Sequence, residues 1–100
     1  MRRNGRVDGN HPEIVKALRQ AGMSVAITSG LGGGFPDLVV GWRGVNVLLE
    51  VKDGTKPPSA RALTADEKDW HAKWGGQISV VESPQGAVDA VIAGWGRSNG

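Results

Sequence analysis

Residues 36–52 read PDLVVGWRGVNVLLEVK, and the Arg43-Gly44 pair in the middle decides how the rest of the chain is laid out. Both flanks, residues 37–42 and 45–53, are strand-like, and a gap of this length suits a two-residue hairpin loop. Taking Arg43 and Gly44 as the loop sets the register. Trp42 faces Val45, Gly41 faces Asn46, and Asp37 falls opposite Glu50. Side chains alternate along a strand, so Glu50 and Lys52 share a face with Asp37, while Val47, Leu49 and Val51 point the other way into apolar packing.

Upstream of the hairpin, Asn10 offers an N-cap and Glu13 stands where a capping box needs it, with Pro12 tolerated in the first turn. Ile14, Leu18 and Ala21 form an apolar stripe with Val15 beside it, and Gly22 ends the helix. Residues 24–29 alternate around Val25 and Ile27 as a strand does. The glycine-rich loop at 30–34 lacks the Gly-Lys-Ser/Thr ending of a P-loop, so nucleotide binding is not expected there.

Downstream, residues 54–63 form a Gly/Pro/Ser-containing loop. Thr64 caps a second helix, Glu67 completes a capping box, and the helix runs to about Trp74 before Gly75-Gly76. Residues 77–82 are a strand. Ser83-Pro84 opens a final helix carrying Ala87, Val88, Val91 and Ile92, with Gly94 near its end. The expected order is α-β-β-β-α-β-α, an α/β (α+β) fold. Its sheet is mixed, because the β-α-β passage over residues 45–82 joins parallel strands. One domain is expected over residues 10–95, with a basic arm at 1–9 and a short tail at 96–100.

Bulk properties narrow the class. A chain of 100 residues, 39% of them apolar, supports one core. It holds no cysteine, which excludes a disulfide framework and a thiolate zinc site and suits a reducing cytoplasm. No apolar run approaches the ~18 residues of a membrane span, and nothing resembling a signal peptide follows the first residues. The net charge is only +2. Its distribution says more: Arg2, Arg3 and Arg6 crowd the N-terminus, and Lys52, Lys56 and Arg61 flank a loop, as suits contact with a phosphate backbone.

Two facing carboxylates oppose sheet pairing. At ~4 Å, with an effective dielectric near 20, the repulsion is about 4 kcal/mol. Lys52 offsets part of it, and a divalent cation would offset more. Hard oxygen ligands suit Mg²⁺ or Mn²⁺, whereas zinc has only His11 and His71 to draw on. A cation held by Asp37 and Glu50 would lower the pKa of a water and stabilise charge on a phosphate. Lys52 would position or deprotonate that water, or neutralise developing charge. The chemistry expected is phosphodiester hydrolysis.

At these residues the chain resembles the PD-(D/E)xK nuclease superfamily, with Pro36-Asp37 as its first motif and Glu50-Val51-Lys52 as its second. The surrounding residues 33–41 and 48–54 look like the VRR-NUC branch, which occurs in bacteriophage proteins and DNA-repair nucleases and is related to the Holliday-junction resolvases of recombination. The resemblance spans roughly residues 8–92. It implies a restriction-endonuclease-like core and a Mg²⁺- or Mn²⁺-dependent DNA endonuclease. In that scheme Asp37, Glu50 and the Val51 carbonyl bind metal and Lys52 serves the nucleophile. The superfamily often adds an acidic residue from the first helix, a position matched by Glu13; Asp8 is a further candidate. After the second motif the family often carries Gln where this chain has Glu67, which puts catalytic use of that position in doubt.

Arg2, Arg3, Arg43, Lys56 and Arg61 are the expected DNA contacts. His71, Trp70 and Trp74 are expected to pack. The leading expectation is structure-selective cleavage of branched, flapped or junction DNA by a homodimer in a bacterial or phage-infected cytoplasm. The alternatives are a DNA-binding or assembly subunit of nuclease fold with little activity, and a phosphoesterase acting on small nucleotides.

Overall fold

A computed structural model of the chain describes residues 9–99. The elements are α1 (His11–Gln20), β1 (Ser24–Ile27), β2 (Leu38–Trp42), β3 (Val45–Val51), α2 (Pro58–Arg61), α3 (Ala65–Lys73), β4 (Ile78–Val81) and α4 (Pro84–Asn99). The expected order is therefore found, with one short helix added inside the loop at 54–63. That turn starts with Pro58 in a first-turn position, where its missing N–H costs nothing.

The four strands lie in the order β1-β2-β3-β4, antiparallel across the first two pairs and parallel between β3 and β4. The hairpin register is the one read from the sequence, from Trp42 opposite Val45 to Leu38 opposite Leu49. Arg43 and Gly44 both take positive φ, 51° and 81°. This is the twist that lets a two-residue loop join antiparallel strands without splaying them.

Alternation then sorts the two faces. Leu38, Val40, Val47, Leu49 and Val51 are buried with Ile14 and Leu18 of α1 and Ala87 and Val91 of α4. On the opposite face β3 presents Leu48 and Glu50, with Lys52 directly after its end; all three are buried. There α3 reaches the end of β3 through Glu67 and His71.

Two local expectations are corrected. Asn10 makes no side-chain cap on α1; its Nδ2 donates instead to the carbonyl oxygens of Lys52 and Glu82, at 3.1 and 3.0 Å. Those carbonyls lie just past the ends of β3 and β4, where the ladder stops supplying partners, so the amide ties α1 to the strand ends. Gly94 does not end α4, which runs to Asn99 through residues expected as tail. A Cβ on Gly94 would lie 2.7 Å from Val47 Cγ2, so glycine stands here for close packing of α4 on β3. The Thr64–Glu67 capping box, by contrast, is present with both of its hydrogen bonds. No helix among the described residues is long and apolar enough to cross a membrane.

Candidate active site

Asp37 is the residue before β2, and the backbone around it is held firmly. Thr28 N donates to the Asp37 carbonyl at 2.8 Å, and Thr28 Oγ1 donates to the carbonyl of buried Pro36 at 2.7 Å. From that position the carboxylate turns across the hairpin, and Val51 N donates to Asp37 Oδ2 at 2.8 Å. This bond places the Asp37 side chain next to Glu50, as the register requires.

Glu50 is only 2% exposed and Lys52 8%. Burial first, and then the hydrogen bond and charge of the adjacent Asp37 carboxyl, push the Glu50 carboxyl up to about 10. Glu67 adds to this rise and Lys52 works against it. Glu50 Oε1 is buried without a hydrogen-bond partner. In a native fold such an atom calls for a cause, among them an ion that binds there.

Two residues of α3 complete the surroundings. Lys52 Nζ donates to Glu67 Oε1 at 2.8 Å, and the same oxygen accepts from Thr64 N at 2.9 Å. Burial raises the Glu67 carboxyl, but the bonds from Lys52 and Thr64 outweigh it and hold the group below its ordinary value. His71 Nε2 lies 3.5 Å from Glu50 Oε1 and is likewise buried without a hydrogen-bond partner. Burial lowers the imidazole's pKa, with Glu67 pulling the other way, so the ring favours its neutral form.

Neither α3 contact was foreseen from the sequence. The usable signal was the spacing: Glu67 and His71 stand four apart and so share one helix face.

No family model, curated protein or solved structure matches this chain.

Asp37, Glu50, Lys52 and the Val51 backbone are brought together; the remaining expected residues lie elsewhere or have other partners. Glu13 is exposed in the first turn of α1. The Arg43 guanidinium lies 4.3 Å from the Trp42 ring centre and 5.6 Å from that of Trp95, and the residue is exposed at the hairpin tip. Arg61 pairs with Glu82 at 3.2 Å, and Lys56 is exposed in the loop after β3. Arg2, Arg3 and Asp8 lie outside the described residues.

Trp70 stacks on Trp74 with ring centres 4.7 Å apart and meets the Phe35 edge at 5.0 Å, joining α3 to the glycine-rich loop. Packing is thus their structural role, although Trp74 remains 44% exposed.

The donor set suits a hard divalent cation. Among the described residues no three His, Asp or Glu side chains converge into a ready cage. Mg²⁺ is commonly held by one or two carboxylates, with waters and substrate phosphate completing its shell. Asp37 and the orphaned Glu50 oxygen fit that habit.

Proposed function

We propose that the chain is a metal-dependent DNA endonuclease that hydrolyses phosphodiester bonds at the Asp37–Glu50–Lys52 face, as its resemblance to PD-(D/E)xK nucleases implies. One observation carries this reading. A buried glutamate has an unpartnered oxygen, an aspartate carboxyl at its side, and a lysine two residues along on the same face. A purely structural role leaves the orphaned oxygen unexplained, because a buried unsatisfied oxygen destabilises a sheet.

Asp37 and Glu50 would hold Mg²⁺ or Mn²⁺, with the Val51 carbonyl as a further oxygen. The cation supplies an acidified water and neutralisation of phosphate charge. Asp37 stays oriented by the Val51 N–H while it ligates. Lys52 brings its ammonium to the same face, where it steadies negative charge on the phosphate or moves a proton at the attacking water. Glu67 positions the amine by holding Nζ and is itself fixed by the first turn of α3.

Arg43, Lys56 and Arg61 are the proposed phosphate contacts from the described surface. A domain this small covers few phosphates, so pairing of two copies about branched or flapped DNA accounts best for cutting of both strands.

The Lys52–Glu67 ion pair favours a second reading, a DNA-binding subunit of this fold with little activity. A single assay separates the two. Linear duplex, single-stranded, flapped and four-way DNA are incubated with the protein in Mg²⁺, Mn²⁺ or EDTA, beside Lys52→Ala. Metal-dependent cuts that fall on the order of 10²-fold or more in the variant support the nuclease. Tight binding with no cuts in either metal supports the subunit.

A further inference from the structure

Among the buried polar atoms that lack a hydrogen-bond partner, two face one another: Glu50 Oε1 on β3 and His71 Nε2 on α3, 3.5 Å apart. They belong to different elements, one to the sheet and one to the helix laid against it. Their spacing suits a shared ion. Two ligand atoms each ~2.1 Å from one ion lie about 3.4 Å apart at a tetrahedral angle and about 3.0 Å apart at an octahedral one. A nitrogen and an oxygen held 3.5 Å apart, both desolvated and unpartnered, are separated as two ligands of one cation are, with little movement needed.

We propose that His71 is a metal ligand, its Nε2 and Glu50 Oε1 binding one divalent cation together, so that the site takes Mn²⁺ and similar transition ions in preference to Mg²⁺. The inference rests on the carboxylate site described above and adds a donor of different chemistry to it. Imidazole favours divalent transition ions over Mg²⁺, which is harder and prefers oxygen; Mn²⁺ binds it most weakly of that series, so its advantage over Mg²⁺ is the smallest the site should show. The position of His71 is itself controlled. The ring lies one helical turn past Glu67, which is anchored at both ends by Lys52 and by the Thr64 cap, and Trp70 beside it is packed between Phe35 and Trp74. α3 is therefore held beside the end of β3 and the segment before β2 by contacts that do not involve a metal, which would leave the imidazole preorganised for one.

Metal-stripped protein is titrated with MnCl₂ and with MgCl₂ by calorimetry, as wild type, His71→Ala, His71→Gln and Glu50→Gln. Thermal melts in EDTA confirm that each variant folds. Loss of a group that only hydrogen-bonds to a ligand weakens metal binding about 10–100-fold, so removal of a direct ligand should weaken Mn²⁺ binding by about tenfold or more while changing Mg²⁺ binding little. Wild type should bind Mn²⁺ more tightly than Mg²⁺, and His71→Ala should lose that preference.

Equal Mn²⁺ affinity in wild type and both His71 variants, with binding lost in Glu50→Gln, overturns the imidazole ligand and leaves the carboxylate site standing. Absence of Mn²⁺ and Mg²⁺ binding by wild type overturns both. Should the His71 variants fail to fold, the ¹⁵N resonance of His71 Nε2 in the wild-type protein decides the matter with diamagnetic Zn²⁺. A large shift on metal addition supports ligation, and an unmoved resonance overturns it.

Discussion

With burial and the neighbouring Asp37 carboxyl both opposing its ionisation, Glu50 keeps its proton in the folded chain at pH values where a solvated glutamate is charged. Its folded-state pKa lies above the unfolded one. The associated stability is fully present below the ordinary value of 4.5 and is lost as the pH rises toward about 10. In EDTA the melting temperature should therefore fall steadily as the pH rises from about 5 to about 9. Glu50→Gln should flatten that slope; a slope that persists unchanged in the variant assigns it to another group. Cation binding needs the ionised carboxylate, so it should release a proton and strengthen as the pH rises. A second substitution tests the facing geometry. Asp37→Asn keeps an acceptor for Val51 N and removes the charge that opposes ionisation of Glu50, so the apo variant should lose less melting temperature than wild type between about pH 5 and about pH 9. A pH slope as steep as that of wild type would contradict coupling between the two carboxyls.

At the scale of elements, the glycine-rich loop docks directly on the start of α3. Gly34 has φ 85°, and a Cβ there would lie 2.5 Å from the Asp66 carbonyl oxygen, one residue before Glu67. Gly34→Ala should cost about 1–3 kcal/mol through left-handed backbone strain and the clash, read by urea unfolding. Because the loop seats the helix that carries Glu67 and His71, metal affinity should fall in the same variant; an unaffected affinity would separate the loop from the site. Thr64→Ala removes a cap whose both bonds are present and should cost about 0.5–2 kcal/mol in the same urea unfolding measurement.

These elements also show what a sequence reader could and could not obtain. The hairpin was legible because turn type, alternation and register are local properties of residues 36–52, and they brought Asp37, Glu50 and Lys52 together. The Thr64 cap was legible for the same reason. Asn10 and Gly94 carry tertiary roles that their neighbours in sequence do not reveal: one amide satisfies two strand ends, and one missing Cβ admits Val47. The shared face of Glu67 and His71 was available from their spacing, but its direction depends on the docking of α3, which no local pattern encodes.

Across the whole molecule the work is divided between the two faces of one sheet. α1 and α4 bury the apolar side and build the core, so the other side of β3 can carry ionisable groups that a core could not accommodate. The Asn10 amide then joins the start of α1 to the strand ends beside the site, which links the frame to the chemistry. A ligand that binds only the folded chain stabilises it by mass action, by about 2.7 kcal/mol at a hundred times its dissociation constant. The most direct measurement is the thermal melt of wild type and Glu50→Gln, each in EDTA and in saturating Mn²⁺ at about pH 8. A cation seated on Asp37 and Glu50 predicts a rise of about 10 °C or more in wild type and almost none in the variant. No rise in wild type, or an equal rise in both proteins, would contradict it.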